Sequence, residues 1–164
     1  MLIGYATKCA FCGRIILDHV VGKISFAAGR AFHPVCLAKW RESGLPALPN
    51  WPSTRAGYFR EFTKKPATPS LQESIRPSGS EIEAKVVDYL RAGIVLVRAS
   101  RVVRDPLDQE QSVIGDNSIV TDLVWEWPEY YPRLIQRYHV SIPAEFYEHM
   151  LRVGWRVPSV EADE

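Results

Sequence analysis

The sequence lacks any run of about 18 apolar residues, the length a helix needs to cross a bilayer, so no membrane-spanning helix is expected. Met1-Leu2-Ile3-Gly4 carries neither the charged nor the apolar region of a secretory leader, which points to a cytoplasmic protein. There is no nucleophile motif, no glycine loop to cradle a phosphate and no second metal cluster, so the familiar enzyme classes find no signature. Cysteine is scarce as well. The three cysteines all fall within the first 36 residues, and an odd number excludes a fully paired disulfide framework.

What is present describes a packed chain. Of 164 residues, 46% are hydrophobic and 24% charged, close to the globular average, so disorder is not expected. That length suits one ordinary domain with a small appendage. The net charge of +1 conceals an asymmetry. Residues 1–65 hold ten Lys/Arg against three Asp/Glu, and residues 66–164 hold ten against sixteen. The basic front half suits phosphate, an acidic partner or the chain's own acidic half; solvated faces explain it equally.

The three thiols find their use in Cys9-Ala10-Phe11-Cys12-Gly13, followed after twenty residues by His33-Pro34-Val35-Cys36. Zinc takes four sulfur or nitrogen ligands in a tetrahedron. A Cys-x-x-Cys turn supplies two, Gly13 can take the positive φ that aims amides at the sulfurs, and His-x-x-Cys supplies two more from one helical turn. Pro34 fits the first position of that turn, where a missing N–H costs nothing. Short strands are expected at residues 14–17 and 23–26, with a turn at 28–30. A fragment of about 40 residues is too small to fold on an apolar core alone, so one structural Zn²⁺ at Cys9, Cys12, His33 and Cys36 would supply the missing free energy. Four ligands close the coordination shell, which argues against a catalytic zinc.

The pattern C-x2-C-G ending in F-H-P-x-C-L resembles the first zinc half of a LIM domain and is similar to other treble-clef-like fingers. The resemblance covers residues 6–42 and implies a protein-binding habit. No second ligand set follows Lys39-Trp40-Arg41, so it extends to half a LIM domain at most.

Residues 43–79 carry six prolines. Regular structure is improbable there. The apolar part, as far as Phe62, is expected to drape over its neighbours, and residues 63–79 to act as a tether. From residue 80 to 158 the expectation is an α+β domain, helices on a short antiparallel sheet, followed by an acidic tail at 159–164. Ser80-Glu81-Ile82-Glu83 reads as a capping box opening a helix over residues 81–92. Strands are expected within 94–103, 113–114, 118–121 and 123–127, and helices over 129–139 and from Pro143 to Gly154. The run G-D-N-S-I-V-T-D-L-V-W-E-W-P with Y-H-V-S-I-P-A-E-F resembles small uncharacterised bacterial domains, some found near toxin–immunity systems.

Asp116, Asp122, His139 and His149 are the residues with acid–base capacity, and turn, cap and packing roles account for them more simply. Trp125, Trp127, Tyr130 and Tyr131 form an aromatic group; facing inward they are core, facing outward they anchor a partner. The composite expectation is a non-catalytic zinc protein acting as a protein-interaction module, an adaptor or immunity-type inhibitor. The alternative is a nucleic-acid binder using Lys8, Arg14, Lys23, Arg30, Lys39 and Arg41.

Overall fold

A computed structural model describes residues 7–17, 24–50 and 54–159. The architecture mixes short helices with small antiparallel sheets, an α+β arrangement. Two compact units are formed: the described residues up to Thr54 with Pro158 and Ser159, and Arg55–Val157. The division falls inside the proline-rich segment 43–79. Lys23 and the tail beyond Ser159 lie outside the described residues.

In the first unit, a tight turn over Cys9–Gly13 is followed by a hairpin, β1 (Ser25–Ala27) and β2 (Arg30–Phe32), and a helix, α1 (Pro34–Glu42). The hairpin closes through Ala28 and Gly29, both at positive φ (49° and 71°), as a two-residue turn between right-twisted strands requires. Arg30 therefore belongs to the strand and not to the turn. Residues 14–17 form no full strand; Ile15 makes a single antiparallel bridge to Lys8. Pro34 opens α1 as its spacing implied. Leu37 and Trp40 point inward, and the Trp40 ring stacks on Phe32 at 5.2 Å. The segment after α1 stays on this unit: Trp40 Nε1 donates to Pro46 O (2.9 Å), and Arg30 Nη2 to Pro49 O (2.8 Å).

The second unit begins earlier than the sequence suggests. Residues 63–79 are no tether. Two short helices, α2 (Arg60–Thr63) and α3 (Leu71–Ser74), are tied together by Glu61, whose carboxylate accepts from Ser70 Oγ (2.7 Å) and Leu71 N (2.8 Å). Phe59 and Leu71 are buried in the main core. These are the side chains that make the stretch fold: an anchored apolar residue on each side outweighs the backbone penalty of the prolines.

Next comes α4 (Glu83–Arg91), then β3 (Ile94–Val97), β4 (Val102–Arg104), β5 (Val113–Asp116), β6 (Ile119–Thr121) and β7 (Glu126–Pro128). Helices α5 (Tyr131–Tyr138) and α6 (Ala144–Arg152) complete the unit. The strands pair as an antiparallel β3-β6-β7 sheet and a separate β4-β5 ribbon. Ala56 N donates to Glu126 O (3.0 Å), so residues 55–56 cover the outer edge of β7. The capping box does not form. No side chain caps α4, because the Glu83 carboxylate is drawn instead to Arg76 and to His139 Nδ1 (2.8 Å).

The aromatic group is core. Trp127 and Tyr131 are fully buried, and Trp125 and Tyr130 nearly so. Phe146 stacks on Trp125 at 4.6 Å and packs against Trp127 at 5.5 Å. The outward-facing role offered for these four residues is thereby corrected: sheet and α6 close over them, and burying such rings is worth more than exposing them. Among the described residues no helix is long and apolar enough to cross a membrane.

Candidate metal centre

Three short-range devices aim the ligands. Cys9 N donates to Arg14 O (2.8 Å) and Gly13 N to Cys9 O (2.9 Å), folding the Cys-x-x-Cys segment back on itself. Gly13 sits at φ 73°, which a side-chain-bearing residue adopts only at a cost. Ala10 N donates to Ala31 O (2.8 Å), fastening this turn to β2. The end of β2 then delivers His33, and the first turn of α1 delivers Cys36.

The result is one cluster. One ligand atom from each of Cys9, Cys12, His33 and Cys36 lies within 4.8 Å of the others. His33 Nδ1 stands 3.5 Å from Cys12 Sγ and 3.8 Å from Cys36 Sγ. Cys9 is buried and the other three are half-buried. All three cysteines are free thiols.

The electrostatics fit a cation. Burial pushes the Cys36 thiol up to about 12, and the neighbouring Cys12 and Cys9 sulfurs add to the effect. Burial, with Cys9 beside it, raises Cys12 too. Cys9 is drawn up by burial but ends below its ordinary value, because backbone amides of Cys12, His33 and Phe11 favour the thiolate. Burial, and then the charge of Arg14, hold His33 below its usual value, which keeps the imidazole neutral and able to coordinate. Sulfurs that repel one another's negative charge at this separation are relieved by a divalent ion. The donor set S₃N therefore fits one metal ion.

The acid–base candidates separate. Asp122 and His149 meet: His149 Nε2 lies 2.9 Å from Asp122 Oδ2, which also accepts from Tyr89 O–H (2.6 Å). Asp122 Oδ1 accepts from the amides of Val124 (2.9 Å) and Trp125 (2.7 Å), shaping the turn before β7. Burial opposes the charge on Asp122, but its hydrogen bonds to His149, Tyr89 and these amides win and hold the carboxyl below its usual range. The same carboxylate, after burial, drives the Tyr89 hydroxyl well above its usual value. Asp116 instead holds Ser118 N at 2.7 Å, and His139 pairs with Glu83. All four act as turn formers or cross-links between elements.

Sequence reasoning missed a second polar group. Glu126, buried, accepts from Arg55 Nε (2.6 Å), and Tyr58 O–H lies 3.4 Å from the same oxygen. Arg55 and Tyr58, together with Phe59 and Tyr131, help line a cleft of about 380 Å³. Its partners lie 68 and 71 positions apart in the chain, so no local spacing could have disclosed it.

Of the proposed nucleic-acid contacts, Arg14, Lys39 and Arg41 are exposed. Lys8 and Arg30 are half-buried and engaged, Lys8 with Thr54 Oγ1 (2.7 Å) and Arg30 with the carbonyls of Leu48 and Pro49. Comparison with known proteins finds no matching family model, no matching curated protein and no matching solved structure.

Proposed function

We propose that this chain is a non-catalytic zinc protein, working in the cytoplasm, that acts by binding another protein. The single observation that carries the reading is the convergence of Cys9, Cys12, His33 and Cys36 on one point in a unit with a small core. Three sulfurs and one imidazole suit Zn²⁺ over the harder divalent ions. Four protein ligands leave no open position for substrate, so the ion's work is structural. A reducing compartment keeps the thiols available. The order of ligand turn, hairpin and helix supports the resemblance to treble-clef-like fingers.

Apolar exposure supports the protein-binding part. Phe26, Val35 and Leu45 all lie on the first unit and are 71%, 62% and 57% exposed. These are the three most exposed large apolar side chains among the described residues, ahead of Val97, Val102, Val113 and Leu151 on the second unit, and such exposure favours a partner surface. An adaptor and an immunity-type inhibitor are two forms of this role. The second reading, nucleic-acid binding, draws on the exposed Arg14, Lys39 and Arg41, but loses Lys8 and Arg30 to internal contacts.

Two measurements test the proposal. Elemental analysis of untagged protein should return one zinc per chain; less than a tenth of that would refute the metal assignment. Crosslinked isolation from native cells should recover a partner protein in stoichiometric amount, and recovery should fall when zinc is chelated. Titration with random DNA and RNA separates the second reading, since phosphate binding weakens steeply as salt rises.

A further inference from the structure

The three thiols of the cluster stand in unequal surroundings. Cys9 is fully buried and belongs to the small core with Ala10, Phe32 and Trp40. Two backbone bonds hold it there, Cys9 N to Arg14 O (2.8 Å) and Gly13 N to Cys9 O (2.9 Å). Cys12, in the turn, and Cys36, in the first turn of α1, are both partly exposed. Their sulfurs stand 3.5 and 3.8 Å from the same His33 Nδ1 and within 4.8 Å of each other. Sulfurs in a disulfide lie about 2.05 Å apart, so this pair has a gap of at most about 2.8 Å to close, comparable with what a change of χ1 moves a sulfur. Resting on the zinc reading above, we propose that hydrogen peroxide oxidises Cys12 and Cys36 of the zinc-loaded centre to a disulfide and so releases the ion, placing the order of the first unit under redox control.

The chemistry balances within the site and the named oxidant. A thiol that coordinates zinc is deprotonated, and the thiolate is the nucleophile. One of the two exposed sulfurs attacks a peroxide oxygen; the O–O bond breaks, hydroxide leaves, and the sulfur becomes a sulfenic acid. The other thiolate attacks that sulfur, forms the S–S bond and expels a second hydroxide. Two thiolates and one hydrogen peroxide thus give one disulfide and two hydroxides, and the two electrons gained by the peroxide come from the two sulfurs.

The product no longer suits the metal. Cys12 and Cys36 cease to be thiolates, and Cys9 with His33 leaves half of a tetrahedral set. The pair Cys9 and Cys12, closer in sequence, is disfavoured because Cys9 would have to leave the core and the turn that fixes it. With three cysteines in the chain, no fourth thiol is left to pair with Cys9, which stays reduced. A dithiol reductant reverses the bond by thiol–disulfide exchange and restores the ligands.

The test uses the full zinc-loaded chain, hydrogen peroxide and a chromogenic zinc chelator. Zinc should be released as two thiols disappear and the third remains titratable in denaturant. Peptide mapping without reduction should show Cys12 joined to Cys36, and dithiothreitol with added zinc should restore both metal and thiols. Cys36→His keeps four donors but removes the pair; it should hold zinc and lose it to peroxide about tenfold more slowly. Mapping of the parent chain decides the pair even where that variant binds no zinc. The inference is overturned if the loaded chain keeps its zinc under peroxide that oxidises glutathione, if zinc leaves with the sulfurs carried on to sulfinic acid, or if the mapped bond contains Cys9. A chain that cannot be loaded with zinc would sink the zinc reading and this inference with it; a loaded chain indifferent to peroxide would sink this inference alone.

Discussion

Replacing Cys12 by serine removes one of the four candidate ligands of the proposed zinc site and leaves the rest of the chain unaltered. The expected cost follows from what holds the first unit. Its core cluster is short, Cys9, Ala10, Ile16, Ala31, Phe32, Leu37 and Trp40, with Ile15 and Leu17 buried besides. Of the cluster, Cys9 is itself a candidate ligand and two are alanines, so few large side chains remain to offset the ordering of the backbone. A structural zinc supplies on the order of 10 kcal/mol, comparable with the whole stability of a typical domain, about 5–15 kcal/mol. A serine hydroxyl is not ionised at neutral pH and is a poor substitute for a thiolate. Most of the metal's contribution should therefore be lost. In Cys12→Ser, zinc content should fall to background, and the amides of Ala10 and Leu37, which bond to Ala31 O and His33 O, should lose protection from hydrogen exchange. Amides of α4 and α5 belong to the other unit and should exchange as before. Stoichiometric zinc in the variant, or undiminished protection at Ala10 and Leu37 after chelation, would refute the reasoning.

Other perturbations probe the second unit. Phe146→Ala removes the ring packed against Trp125 and Trp127 and should cost about 3–5 kcal/mol, read as a lower urea midpoint. Gly57→Ala should destabilise by roughly 1–3 kcal/mol, because Gly57 has φ 75° and a Cβ there would stand 2.5 Å from Tyr131 Cγ. Asp122 has a folded pKa below its unfolded value of about 3.9. Its contribution is therefore fully present at neutral pH and is lost as pH falls through the folded value. Asp122→Asn should be less stable than the parent at pH 7, with the gap narrowing in acid; a gap that is constant with pH would show that the charge is not what matters.

The convergence of Cys9, Cys12, His33 and Cys36 was legible because its information is local. Two ligand pairs at short spacing, a glycine after the second cysteine and a proline after the histidine each impose a conformation on their own neighbourhood. Helices α5 and α6 were legible for a similar reason, since Pro132 and Pro143 lie at their starts and Gly154 follows the second. What failed was set by distant residues. Glu83 has the spacing of a capping box, but Arg76 and His139 offer its carboxylate a better-placed charge and hydrogen bond than the α4 amides do. The supposed tether at 63–79 looked unstructured by composition, and it is ordered by Leu71 entering a core made mostly of residues beyond position 80. Trp125 and Trp127 could be placed on one side of the chain by alternation, but alternation carries no sign: Phe146, twenty residues away, decides that this side is the inside.

The same distinction separates structural polar groups from candidate sites. Asp122 collects a tyrosine, a histidine and two backbone amides, and each of its oxygens is committed to two donors. A carboxylate so fully engaged has no capacity left to take a proton from a substrate without breaking a bond that shapes the turn before β7. The cysteine cluster is the opposite case. Burial and neighbouring sulfurs raise the Cys12 and Cys36 thiols, backbone amides lower Cys9, His33 is held below its usual value, and the four donor atoms lie within 4.8 Å of one another. Groups that satisfy one another stabilise a fold; donors that converge on one point can hold a ligand. By that criterion the proposed function is to be sought on the first unit, where Cys9, Cys12, His33 and Cys36 converge and could hold one metal ion.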